Sequence, residues 1–189
     1  AQCMADVGVD MGRVSKGEPL LDPTADFAWI ELHIEQGPVL VARDLPVGIV
    51  TGIRGNIRHR TVECVGEAGH SGAVPRWLRR DAVFATAELI THLDRHWRTL
   101  LEGGRDLDVT SGVFGTDPQE HAIARIPGRV NFSFEVRSQS RETLEAFYDL
   151  FLSECGMIGE ERGVDFKLDR RLEAGPAVMD AGWIARLKS

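Results

Sequence analysis

Between Trp77 and Leu101, apolar residues recur at Leu78, Ala82, Ala85, Leu89, Leu93, Trp97 and Leu100. These steps of three and four put one apolar stripe on a long helix, and such a stripe must be covered by another element. Gly103 and Gly104 stop it. A second helix is predicted after Ser140, a suitable N-cap, with Leu144, Phe147, Phe151, Cys155 and Ile158 on one side and Gly163 at its end. The segments around these helices read as strands. Arg58 to Gly66 alternates, with Thr61, Glu63 and Val65 opposite Val62 and Cys64. Leu107 to Phe114 and Val164 to Leu172 are further strand segments. Val130 to Val136 sets Val130, Phe132, Phe134 and Val136 against Asn131, Ser133 and Glu135, the period-2 pattern of a half-buried strand. The order is strand, helix, strand, strand, helix, strand. Two amphipathic helices and four half-apolar strands predict an α+β, ferredoxin-like fold: a four-stranded antiparallel sheet with both helices on one face. The other face, or an edge strand, is left for pairing with a second subunit.

The flanks have a different texture. Phe27 to Ile34 (FAWIELHI) reads as a buried strand, GPVLVARD from Gly37 as a short helix, and Gly48 to Ile53 as another buried strand. Pro176 breaks the chain, and Ala177 to Ser189 reads as the start of a helix. The expected organisation is therefore residues 54–173 as one α+β domain, with 1–53 and 174–189 as flanking pieces of an α/β domain. The chain begins AQCMADVGVDMGRV, without an initiator Met or the basic flank and apolar run of a secretory signal, and reads as a fragment or processed product. No apolar run approaches the ~20 residues of a membrane helix. The net charge of −7 opposes a phosphate backbone, and the short cluster of Arg76, Arg79 and Arg80 does not overturn that. Cys3, Cys64 and Cys155 are odd in number and form no CxxC pair, which predicts reduced thiols in a cytoplasmic protein rather than a disulfide framework or a cysteine zinc site.

Three segments carry residues suited to chemistry. His33 has Glu31 and Glu35 at i−2 and i+2, on one face of an extended segment. A histidine flanked by carboxylates can ligate zinc or manganese through one nitrogen while the other is held by an acceptor, and equally can be a structural histidine on a backbone carbonyl. Gly66 to Gly72 (GEAGHSG) is a glycine-rich turn that can bring His70 and backbone N–H groups to a ligand, or be a plain connector. It has neither nucleotide-binding spacing. Arg137 ends the alternating strand, where a guanidinium can fork onto a carboxylate substrate or pair with a neighbour such as Glu135. There is no GxSxG and no HExxH, and Ser71 beside His70 makes no triad because adjacent extended residues point apart.

Taken together, ELHIEQGPVL at Glu31–Leu40, GHSGAVPRWLRRDA at Gly69–Ala82 and IPGRVNFSFEVRS at Ile126–Ser138 resemble one family. It is the group of N-carbamoyl-L-amino-acid hydrolases, allantoate amidohydrolases and beta-ureidopropionases, related to zinc aminoacylases and dimeric exopeptidases. The likeness runs over nearly the whole chain and implies the middle of a protein about twice as long. It implies that 54–173 is a lid and dimerisation domain, and that the flanks belong to a metal-binding catalytic domain. It implies His33 as a ligand of a two-metal centre of zinc or manganese, and Gln36 as a contact to the substrate's polar end. His70 becomes the lid histidine that polarises the scissile carbonyl, often in the partner subunit's site, and Arg137 the grip on the substrate carboxylate. The implied reaction is attack of a metal-bound hydroxide on a linear ureido or amide carbon, with the lid closing over it. Where the family commonly has an asparagine before IPG, this chain has Ala124, with Arg125 beside it. No HxD segment, paired acidic ligands or closing histidine matches the other family ligands, so the chain alone is expected neither to hold two metals tightly nor to turn over substrate. The alternatives are an aminoacylase or dipeptidase of the same fold and, from another class, a non-catalytic dimerisation module. A ferredoxin-like RNA- or metabolite-binding domain fits poorly, given the acidic charge and the lack of an aromatic stripe.

Overall fold

The computed structural model describes residues 2–19, 24–25 and 29–189, in two compact units, Ala1–Gly48 and Ile49–Ser189. In the first unit, α1 (Gln2–Asp6) and α2 (Met11–Ser15) are single turns, the second capped by the Asp10 carboxylate on the N–H groups of Gly12 and Arg13. The expected short helix after Gly37 is α3 (Val39–Ala42). The buried strand expected over Phe27–Ile34 is not formed. Phe27 and Ala28 lie outside the described residues, and Trp29–Ile34 runs without strand pairing, Leu32 being 96% exposed. An extended segment becomes a strand only when a neighbour takes up its N–H and C=O groups, and no described residue pairs with this one.

The buried strand expected over Gly48–Ile53 is reduced to β1 (Gly52–Ile53), which pairs antiparallel with β10 (Ala177–Val178) and is not buried, Val50 and Ile53 being 61% and 57% exposed. The main sheet of the second unit is built on β2 (Gly55–Val65) and β7 (Arg129–Ser138), antiparallel neighbours. β4 (Asp108–Thr110) and β5 (Phe114–Gly115) line the outer edge of β7, and β8 (Asp165–Leu168) and β9 (Leu172–Ala174) line the outer edge of β2. β3 (Gly69–His70) and β6 (Arg125–Ile126) form a separate two-stranded ribbon and pair only with each other. The four-position sheet is the antiparallel arrangement expected, with two strands each split in two. α4 (Ala82–Glu102) and α5 (Arg141–Arg162) pack on one of its faces, and α6 (Ala181–Lys188) closes the chain.

Val130, Phe132, Phe134 and Val136 of β7 are buried against Ala85, Leu89 and Leu93 of α4 and Leu144, Phe147, Phe151 and Ile158 of α5. Phe134 and Phe151 stack face to face at 4.0 Å. On β2 the buried positions change phase: Ile57 and His59 face inward, and so do Val62 and Cys64. A bulge between His59 and Val62 absorbs the extra residue. Opposite it the fourth strand breaks between β8 and β9, where the Asp169 N–H donates to Thr61 O (3.1 Å). The Asp169 carboxylate also lies 3.0 Å from His59 Nδ1, and His59 Nε2 lies 3.0 Å from the Tyr148 hydroxyl. A buried histidine thus has both ring nitrogens satisfied, and the expected Val164–Leu172 strand is split into β8 and β9 opposite the bulge in β2.

The long helix starts later than its periodicity predicts. The Asp81 carboxylate accepts from the Val83 and Phe84 N–H groups and fixes the first turn at Ala82. Upstream, Arg79 is extended and the Arg80 carbonyl is taken by the Glu67 N–H, so Arg76–Leu78 forms only a 3₁₀ turn and Leu78 is exposed. α5 begins and ends as expected, with Ser140 Oγ accepting from the Thr143 N–H and Gly163 left-handed at φ 64°. Cys3, Cys64 and Cys155 are free thiols. Burial pushes the Cys64 thiol up to about 11 and the Cys155 thiol up to about 12, which keeps both protonated and unreactive. No helix among the described residues is long and apolar enough to cross a membrane.

α4 and α5 are joined by a polar clasp. His92 Nδ1 and His96 Nε2, one turn apart on α4, each lie 2.7 Å from a different oxygen of the Glu154 carboxylate on α5. Burial works to raise the Glu154 carboxyl, but the hydrogen bonds from His96 and His92 prevail and hold it below the usual carboxylate range. A depressed folded-state value means this clasp is fully present above ~pH 4.3, the unfolded glutamate value, and is lost as pH falls through the lower folded value. Glu154→Ala is therefore expected to cost about 1.5–3 kcal/mol at pH 7 and progressively less below pH 4, measured by urea unfolding across that range. A cost that does not change with pH would refute the assignment. Gly66 is a second pivot: a Cβ there would stand 2.0 Å from the Arg80 carbonyl oxygen. Gly66→Ala is expected to cost about 1–3 kcal/mol and to speed limited proteolysis between residues 66 and 80, whereas an unchanged Tm and cleavage pattern would show that the turn has slack.

Candidate functional site

His70 stands on the short β3–β6 ribbon that leaves the end of the β2–β7 ladder. Val65 pairs with Arg129 at the last rung, and beyond it Gly69 pairs with Ile126 and His70 with Arg125. The turn is pinned from several sides. The Gly66 N–H donates to Gly128 O (2.8 Å) and the Ser71 N–H to Ala124 O (2.7 Å). Arg79 sends Nε to Val74 O (2.9 Å) and Nη2 to Ser71 O (2.6 Å). The glycine-rich segment is thus not a loose connector. Part of the basic cluster noted in the sequence serves to hold it, a role that only the folded backbone reveals.

The His70 ring is exposed, and its Nδ1 accepts from the Gly72 N–H at 3.1 Å. In the neutral ring the proton is then on Nε2, which is left as a donor. An open hollow of about 470 Å³ lies beside it, lined by Ala68, Gly69, His70, Ala122, Ala124 and Arg125. Ala124 contributes only a methyl group to this hollow, together with the carbonyl that holds Ser71. Arg125 is drawn towards Glu120, 3.0 Å away.

Arg137 lies at the other end of the sheet, pairing with Asn56 of β2 and Asp108 of β4 on the face away from the helices. Its Nη2 is 3.0 Å from Glu135 Oε1. Arg58 of β2 reaches the same oxygen at 2.7 Å. Asp108 is engaged instead by Arg54, which also holds Asp106. From Asn56 to Val65 the ladder runs nine residue steps, roughly 25–30 Å of strand, and His70 lies beyond its end. Within one chain, side chains cannot bring His70 and Arg137 onto one small molecule.

His33 and Gln36 belong to the first unit. His33 is exposed, with Nδ1 2.5 Å from the Ile34 carbonyl oxygen, so that nitrogen donates and Nε2 keeps a free lone pair. Glu35 does not serve His33: its carboxylate accepts from the Val39 N–H (2.9 Å) and the Leu40 N–H (3.0 Å), capping α3. Gln36 sits in the left-handed region at φ 59°, a conformation that costs a non-glycine residue about 1 kcal/mol or more. Among the described residues no group of three His, Cys, Asp or Glu side chains is placed to hold a metal ion. His33 is a single donor, and the residues present do not by themselves fit a two-metal centre. The sequence reading missed the Arg79 brace and the Arg58–Glu135 contact, and the only signal for either was the local charge pattern.

No protein-family model matches the chain. Curated relatives do. The chain is 34% identical over 182 residues to an N-carbamoyl-L-amino acid amidohydrolase of Geobacillus stearothermophilus, which covers 94% of this chain and 41% of that protein. It is 33% identical to a probable allantoate deiminase of Oryza sativa, over 91% of this chain and 37% of that protein. Against an allantoate amidohydrolase of Bacillus subtilis it is 32% identical over 81% of its length. Among solved structures, a hydantoinase/carbamoylase family amidase from Burkholderia ambifaria superposes with a TM-score of 0.73 at 28% identity, over 82% of this chain and 37% of that one. AtUAH, solved in complex with glyoxylate, gives 0.68 at 30% identity, over 82% and 36%. The chain thus spans about two-fifths of the length of the relatives it matches. With three linked motifs, one fold and one group of relatives in agreement, the chain belongs to the family of N-carbamoyl-L-amino-acid amidohydrolases and allantoate amidohydrolases.

Proposed function

We propose that this chain is the lid, with part of the catalytic domain, of a cytoplasmic homodimeric amidohydrolase that cleaves linear C–N bonds of N-carbamoyl-amino-acid or allantoate-type substrates. The observation that carries the reading is the 34% identity to an N-carbamoyl-L-amino acid amidohydrolase across 94% of the chain. Residues 54–173 are the lid, and 1–53 and 174–189 are pieces of the catalytic domain. The exposure of Trp29, Ile30, Leu32 and Ile34 supports that division, because such a run of apolar side chains needs a covering partner. The acidic net charge and the free thiols fit a small-molecule enzyme of a reducing compartment that binds no nucleic acid.

In this reading His70 donates its Nε2–H to the scissile carbonyl, and Arg137 receives the substrate carboxylate on its guanidinium. Gln36 meets the polar end of the substrate. Two divalent ions, zinc or manganese, complete the enzyme. His33 offers one nitrogen to such a centre, and most of the donors come from elsewhere in the intact protein. The separation of His70 from Arg137 along the sheet supports a homodimer in which each site takes its histidine from one subunit and its arginine from the other. A second reading, a dimerisation module without catalysis, is favoured for the isolated chain by its complete set of lid elements.

Two outcomes test this. In the intact enzyme, His70→Ala and Arg137→Ala homodimers are each expected to lose at least 100-fold in kcat/KM, an estimate from the loss of one transition-state donor or one charged grip. Mixed dimers of the two variants should regain about half of the wild-type rate, since one of their two sites then holds both native residues. Mixed dimers as inactive as the parents would exclude a shared site. The 189-residue chain, purified with zinc or manganese, is expected to elute as a dimer by light scattering and to leave an N-carbamoyl amino acid intact. Turnover at an enzyme-like rate of about 1 s⁻¹ or more would show that it carries a working site unaided.

A further inference from the structure

Glu135 projects from β7 on the sheet face away from the helices, between Arg58 of β2 and Arg137 two residues along its own strand. Both guanidiniums converge on one atom, Glu135 Oε1, at 2.7 Å and 3.0 Å, as ion pairs that lack hydrogen-bond alignment, so this buried oxygen has charge partners but no hydrogen bond. The Glu135 side chain is 24% exposed, against 40% for Arg58 and 50% for Arg137. The carboxylate is thus the inner member of the trio and the arginines the outer ones. Its backbone is fixed on both sides, by Arg58 in β2 and Thr110 in β4. Arg137 makes no other ion pair and no side-chain hydrogen bond among the described residues, and the neighbouring carboxylate, Asp108, is already taken by Arg54.

A buried carboxylate charge holds a neighbouring guanidinium close by Coulomb attraction, and because neither contact has hydrogen-bond alignment the N–H donors of Arg137 stay available for a second carboxylate. A free arginine on a strand end would have to give up several rotamers to meet a substrate. We propose that Glu135, itself anchored by Arg58, is a positioning residue that orients Arg137 for recognition of the substrate carboxylate. The proposal rests on the reading of Arg137 as the carboxylate grip and adds to it the device that presents the grip. Glu135 touches no substrate, and its effect falls on binding of the anionic group rather than on the bond that is cleaved.

The test compares an N-carbamoyl amino acid with the corresponding carboxamide, which lacks the negative charge, in the intact enzyme. Glu135→Gln keeps the shape and removes the charge. It is expected to raise KM for the carboxylate substrate about twofold to fivefold, the range of one partly exposed ion pair. Its kcat should stay within about twofold, and the carboxamide kinetics should be unchanged. Glu135→Asp, which retains the charge on a shorter stem, should lie between. Equal losses on both substrates, or no loss on either, would overturn the proposal. If Glu135→Gln does not fold, Arg58→Gln replaces it: a KM rise confined to the carboxylate substrate supports the proposal, and an unchanged KM overturns it. Arg137→Gln separates the two layers of the argument. If it leaves the preference for carboxylate over carboxamide intact, the reading of Arg137 itself is wrong. If it abolishes that preference while Glu135→Gln changes nothing, only the positioning role falls.

Discussion

The β2–β7 ladder is the constraint on which the rest of the second unit depends. It is long, antiparallel and apolar on one face only, so it decides where both helices lie and which face stays polar. Burying Val130, Phe132, Phe134 and Val136 against α4 and α5 leaves Asn131, Ser133, Glu135 and Arg137 on the other side without any further choice. The same alternation puts Arg58 across from Glu135. A candidate recognition face is therefore a by-product of core formation, and its charges stand on rigid strands rather than on loops.

The ladder also sets a length. One end presents Arg137 and the other passes through Gly66 and Gly128 into the ribbon that carries His70. A strand pair long enough to support two helices of 21 and 22 residues is too long for its two ends to meet on one metabolite. A site that used both ends, as in the proposed function, would need a second copy, because the core that fixes the ladder also fixes its length. The polar clasps satisfy buried groups: His92 and His96 meet the Glu154 carboxylate between α4 and α5, and Asp169 and Tyr148 meet His59 beside the β2 bulge.

Much of this was legible in the order of residues. The steps of three and four in α4, the Ser140 cap and Gly163 terminus of α5, and the strict alternation from Val130 to Val136 are local signals, and local signals survive without knowledge of neighbours. What failed depended on partners distant in sequence. Leu78 keeps the helical phase of α4, yet Glu67 takes the Arg80 carbonyl and the helix starts later. The bulge at Arg60–Thr61 reverses the buried phase of β2, and nothing in GNIRHRTVECV marks it. FAWIELHI has the composition of a buried strand, but composition supplies no partner, and Trp29–Ile34 stands unpaired among the described residues.

For the candidate site the division is similar. Residue types and their spacing determined which side chains are suited to chemistry: an imidazole in a glycine-rich turn, a guanidinium at a strand end, and a histidine between carboxylates. Tertiary structure decided what each can reach. It set Nδ1 of His70 on the Gly72 N–H, turned Glu35 away from His33 to cap α3, and placed Glu135 between two arginines. It also separated His70 from Arg137 by the length of a ladder. The physical reason is that chemical capacity belongs to a side chain and is written in its type, whereas convergence is a distance, fixed only when remote strands pair and a shared core locks their register.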